Sequence, residues 1–224
     1  MTFSISARCA QTGMFGIAIS SSSPAVAARC AFAQAGAGVV ATQNITDPAL
    51  GQMGIALLAD GLSAMQTLET LLDGYEFAAY RQLAIVDGNG GTAAYSGANT
   101  LGVHATHEGR DCVAAGNLLY DDAVPEAMVH AFEGSRGHLA DRLLATMQAG
   151  LAAGGEAGPE HSAGMLIVDT VSWPVADLRV DWDEDDPVGA LGKLWDLYKP
   201  QLDDYVTRAL DPTAAPRYGV PGDE

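Results

Sequence analysis

Thr2-Phe3-Ser4-Ile5-Ser6-Ala7, followed after a turn by Gly16-Ile17-Ala18-Ile19-Ser20, is the stretch whose reading decides the fold. The first run alternates polar and apolar residues, the period of a half-buried strand. The second is a short continuous apolar run, suited to a strand covered on both faces. Gln11-Thr12-Gly13 between them is a turn cluster. Thr2 stands directly behind Met1, so a core strand is expected to begin at the head of the chain. A small residue behind the initiator is the usual circumstance for its removal, which would leave Thr2 first. Such a residue carries a hydroxyl and a free amine together. The hydroxyl is a weak nucleophile alone. An α-amine with a pKa of about 7.7–8.0 can serve as its base near neutral pH.

Working outward, Ser20-Ser21-Ser22-Ser23-Pro24 reads as a loop that also caps a short helical segment at 25–32. Because the second strand ends there, a serine such as Ser20 is expected beside Thr2. Val39-Val40-Ala41 forms a third strand ending in the polar cluster Thr42-Gln43-Asn44, whose Thr42 and Gln43 are candidates to line a pocket. Asp47-Pro48 opens one helix, and Ser63 with Gln66 makes a capping box for the next. Their short link predicts an antiparallel pair. Strands then follow at 80–86 and 92–97, around the turn Asp87-Gly88-Asn89-Gly90-Gly91. Further strands are expected at 102–107 and 112–119. The last of these breaks at Gly116-Asn117, and a glycine inside an apolar strand marks a bulge or a close backbone approach. The Asn117 amide there can donate to a developing oxyanion.

Two helices are expected at 125–132 and 138–153, then strands at 162–168 and 176–181. An acidic turn, Asp183–Asp186, precedes a last helix opened by Pro187. No linker or repeat divides the chain. The order of strands, two helices, strands, two helices, strands, helix fits an α+β fold, a four-layer α-β-β-α sandwich of two antiparallel sheets. One domain is expected over 1–210, with a loose tail at 211–224.

Composition narrows the function. The chain has 224 residues, 48% of them hydrophobic, enough for a sizeable core. Eleven Lys+Arg against 28 Asp+Glu give a net charge of −17, which excludes a nucleic-acid binder and disfavours anionic membrane surfaces. No apolar stretch approaches the roughly 20 residues of a membrane span. Cys9, Cys30 and Cys112 are odd in number and lack C-x-x-C spacing, so neither a disulfide framework nor a zinc motif is read. The expected setting is a reducing cytoplasm, with no metal and no cofactor. The Gly pair of Ala35-Gly36-Ala37-Gly38 precedes a strand and lacks the lysine of a phosphate loop. His104, His107 and Cys112 show no spacing that supports a different enzyme.

The ordered set Thr2-Phe3-Ser4-Ile5 with Ala7-Arg8, Gly16-Ile17-Ala18-Ile19, residues 35–43, Tyr80-Arg81-Gln82-Leu83, Ala115-Gly116-Asn117-Leu118-Leu119 and Ser162-Ala163 resembles a bacterial family known as domain of unknown function 1028. Through its layout and Thr2, the chain also resembles the N-terminal-nucleophile (Ntn) hydrolases. The resemblance implies an Ntn-like sandwich and an amide-bond hydrolase acting on a small amide, ureide or acyl-amino acid. Thr2 would be its nucleophile and Asn117 its oxyanion donor. Ser20, Thr42, Gln43, Arg81 and His161 are the candidates for substrate binding. The chain departs from the family where Ser21 replaces a frequent arginine and Glu160-His161 a frequent Arg-Gln. Its first lysine is Lys193, so any cation near Thr2 has to be Arg8, Arg29 or Arg81. The alternative is a non-catalytic protein on the same fold that binds a small molecule or partner. Apolar helix faces are also compatible with a homo-oligomer.

Overall fold

The computed structural model describes residues 1–222. In chain order the elements are β1 (Thr2–Arg8), β2 (Phe15–Ser21), α1 (Ala27–Cys30), β3 (Ala31–Gln34), β4 (Gly38–Asn44), α2 (Pro48–Ala59) and α3 (Ala64–Leu72). They continue as β5 (Arg81–Asp87), β6 (Thr92–Ser96), β7 (His104–Gly109), β8 (Cys112–Asn117), α4 (Val124–Gly134) and α5 (Leu139–Ala152). The chain closes with β9 (Ser162–Val168), β10 (Ala176–Val180), α6 (Pro187–Tyr198) and α7 (Leu202–Leu210). One sheet has the order β10-β9-β2-β1-β8-β7 and the other β3-β4-β5-β6, with every pairing antiparallel.

The two sheets pack face to face through Phe15, Ile17, Val39, Ala41, Ala84, Val86, Val113 and Ala115, all buried. The outer face of the larger sheet, with Phe3, Ile5 and Ala114, is covered by α4, α5 and α6 through Met128, Leu143 and Trp195. Val40, Leu83 and Ile85 on the outer face of the smaller sheet meet Leu50, Leu58, Leu68 and Leu71 of α2 and α3. This is the expected four-layer sandwich. Strand alternation builds it, since each interior strand sends one set of side chains to the other sheet and the intervening set to the helices.

Local chemistry holds the helices where the sequence places them. The Asp47 carboxylate accepts from Ala49 N–H, and the Ser63–Gln66 capping box is present in both directions. The Asp87 carboxylate closes the β5–β6 turn by accepting from the N–H groups of Asn89 and Gly91. Asp186 caps α6 by accepting from Gly189 N–H. One segment differs from expectation. The helix at 25–32 shrinks to the four residues of α1, no side chain caps it, and Ala31–Gln34 become the edge strand β3. Pairing of Ala31 with Ala41 and Phe32 with Val40 satisfies the backbone there better than further helix would. Of the expected tail, 211–222 carry no helix or strand of their own, Arg208 stacks on Tyr218, and 223–224 lie outside the described residues.

Candidate active site at the head of the first strand

β1 runs between β2 and β8, and Thr2 opposes Asn117 directly. Thr2 shares its parity with Ser4, so its side chain leaves the sheet on the face turned to the second sheet, opposite to buried Phe3. Only 6% of Thr2 is exposed. Its Oγ1 lies 3.4 Å from Ser21 Oγ, and both hydroxyls donate to the Met1 carbonyl oxygen. Ser21 also accepts from the N–H of Ser23, which fixes its rotamer at the end of β2. With Met1 attached, the Thr2 nitrogen is an amide.

Behind Thr2 a chain of buried amides crosses from sheet to sheet. Ser4 Oγ donates to Gln43 Oε1 at 2.8 Å, and Gln43 Nε2 donates to Gln82 Oε1 at 2.8 Å. Asn117 Nδ2 donates to the same Gln82 oxygen at 3.0 Å. Gln82 Nε2 in turn donates to Ser96 Oγ and to the Gly116 carbonyl. Every one of these amides has a partner, as burial between two sheets demands. One Nδ2 hydrogen of Asn117 is left uncommitted by these bonds.

Just past the end of β2, against Ser22, stands Glu156, 4% exposed, from the loop between α5 and β9. Its carboxyl accepts from Ser22 N–H at 3.1 and 3.3 Å. Burial pushes its pKa up to about 8, against the pull of the N-terminal ammonium, while nearby Glu160 pushes further the same way. The loop is held by Leu119 pairing with Glu156 and by Glu156 N–H donating to Glu160 Oε1. Gly158 gives room to the Met1 side chain, since a Cβ there would lie 3.1 Å from its Cε.

The remaining candidates distribute by strand parity. Gln43 belongs to the inter-sheet chain with Asn117. Ser20 faces away from Thr2 and donates to the Ser162 carbonyl, so the hydroxyl beside Thr2 belongs to Ser21 instead. Thr42 is on the helix side of β4, donating to the Asp47 carbonyl. Arg81 is likewise on the helix side of β5, bound to the Tyr75 hydroxyl and the Ile45 carbonyl. His161 adjoins the site through its backbone, which donates to the Ser21 carbonyl, while its ring stacks on Trp182 at 4.4 Å. Arg8 occupies the far end of β1, bound to Asp111, and Arg29 binds the carbonyls of Pro24 and Ala25. Glu156 and Gln82 escaped the sequence reading. Glu156 is one of two acids in a glycine-rich loop, with Glu160, and carries no local signal. Gln82 could have been found as the polar residue at an inward position of an otherwise apolar strand.

The model of a family of unknown function, DUF1028, matches residues 2–191. The chain belongs to the DUF1028 family. Its fold is also that of a solved family protein, the crystal structure of a DUF1028 protein from Silicibacter pomeroyi, which superposes with a TM-score of 0.82 at 31% identity. That match covers 88% of this chain and 89% of the other. The ancestral β-subunit Anbu from Yersinia bercovieri aligns over 91% of this chain and 97% of its own, at 11% identity and a TM-score of 0.37, a likeness too slight to argue from. No curated protein matches the chain. Among the described residues of this DUF1028 protein, no helix is long and apolar enough to cross a membrane.

Proposed function

We propose that this DUF1028 protein hydrolyses an amide bond of a small molecule through Thr2, once Met1 has been removed. The observation that carries the reading is the pair of hydroxyls, Thr2 and Ser21, converging on a single carbonyl oxygen at the head of a buried strand. That carbonyl belongs to Met1 and stands for the acyl group of a substrate held against the same atoms. In the processed chain the Thr2 amine takes the hydroxyl proton, and the oxygen attacks the acyl carbon. Asn117, through its uncommitted N–H, and the Ser21 hydroxyl then donate to the oxyanion. The tetrahedral adduct then collapses, the C–N bond breaks, and the amine leaves with the proton held by the Thr2 amine; water next hydrolyses the acyl-Thr2 ester, freeing the acid and regenerating the hydroxyl.

A set of amides, ureides and acyl-amino acids, offered to Met1-free protein, tests the reading. Turnover should fall by roughly 10³-fold or more in Thr2→Ala, with folding retained within about 1 kcal/mol. Turnover at the native rate in that variant would exclude Thr2 as the nucleophile. A non-catalytic binding role is favoured by one observation, that an amide-linked Thr2 nitrogen has no basic lone pair. Retention of Met1 in the mature chain would select that role.

A further inference from the structure

Away from Thr2, on the helix-covered side of the larger sheet, three side chains from two elements converge. His107 is on β7, directly across from Ala114 of β8, whose side chain is part of the core under α4. It therefore leaves the strand on the face that α4 covers. Glu126 and His130 are four residues apart on α4 and so share one side of that helix. The nearest ligand atoms of His107, Glu126 and His130 all lie within 4.8 Å of one another. The two imidazoles meet edge to face, with centroids 6.0 Å apart. None of the three side chains takes part in a hydrogen bond or ion pair with another described residue, so their donor atoms are uncommitted. His107 is half-buried and the other two are exposed.

We propose that His107, Glu126 and His130 bind a divalent transition-metal ion and that the bound ion ties α4 to the edge strand β7. Two imidazoles and one carboxylate suit zinc among such ions, with the remaining positions left to water or an added ligand. Bonds of about 2.0–2.2 Å in a tetrahedron separate ligand atoms by about 3.4 Å, so closure requires roughly 1 Å of movement. Rotamer adjustment in the exposed Glu126 and His130 side chains supplies it without moving the backbone. An ion there would also bridge β7, the last strand of its sheet, to its covering helix.

The test is a zinc titration of untagged, chelator-stripped protein, read by calorimetry and by the shift in thermal midpoint. The native chain should bind one equivalent and melt at a higher temperature with zinc. Glu126→Gln and His130→Ala, which each remove a ligand, should weaken binding by at least the roughly 10–100-fold that loss of an outer-shell partner costs. His104→Ala, a nearby histidine outside the cluster, should change neither readout. Both Glu126 and His130 are exposed, so the variants keep the fold, and circular dichroism verifies it. No stoichiometric binding, or equal affinity in the native, Glu126→Gln and His130→Ala chains, would overturn the site. Binding that leaves the thermal midpoint unmoved would overturn the tie between helix and strand.

Discussion

Asn117 ends β8 because the next residue, Leu118, takes a left-handed backbone conformation with φ of 52°. A branched aliphatic side chain adopts that conformation at a cost of order 1 kcal/mol, and such strain concentrates at functional positions. The turn leaves Asn117 as the last rung opposite Thr2, with the Asn117 side chain directed between the sheets. If its amide stabilises an oxyanion, Asn117→Ala should lower turnover by about 10²–10³-fold while KM moves little. Asn117→Asp, which keeps the shape and removes the N–H donor, should do the same. Equal turnover in both variants and the native chain would leave the amide with a structural role only. The sequence reading set the break at Gly116-Asn117, but β8 pairs in register through both residues and stops one position later at Leu118, whose left-handed backbone no residue type there signals. The choice between Ser20 and Ser21 was not legible either, since it depends on the register of β2 against β1, where one residue's shift reverses the face.

At the scale of elements, Gln82 joins β5 to the opposite sheet. Its oxygen accepts from Gln43 and Asn117, and its amide donates to Ser96 and to the Gly116 carbonyl. Replacement by leucine fills a similar volume but strands two buried donors and a buried carbonyl. Gln82→Leu should destabilise the protein by roughly 2–4 kcal/mol in urea unfolding, and it should loosen Asn117 enough to lower turnover as well. A change below about 0.5 kcal/mol would show that these amides find other partners. The helices were readable from capping residues and apolar spacing, as with Asp47-Pro48, Ser63 with Gln66, and Pro187 behind an acidic turn, whereas the Asp186 cap came only with the structure. β3 was not, because Ala31-Phe32-Ala33-Gln34 has no strand period and becomes a strand only through its partner β4.

At the scale of the molecule, a chain of net charge −17 keeps Glu156 almost wholly out of water beside its N-terminus. A carboxyl raised from 4.5 to about 8 keeps its proton in the folded chain where the unfolded chain has lost it. The stability this proton contributes is full below 4.5 and is lost as pH rises through 8. The unfolding free energy should therefore decline between about pH 5 and pH 8.5, and Glu156→Gln should flatten that decline. An identical slope in the variant would assign the effect to other groups. The four layers were legible from element order alone, since consecutive antiparallel strands and paired helices have few ways to bury their apolar faces. Glu156 and the cluster of His107, Glu126 and His130 were not, because each depends on contacts between segments far apart in the chain.

The central claim rests on a free amine at Thr2, and the intact mass of protein purified from its native host tests it most directly. The account predicts a chain lighter than the full sequence by one methionine residue, with Thr2 as the first residue read by sequencing. A mass that retains Met1 would contradict it.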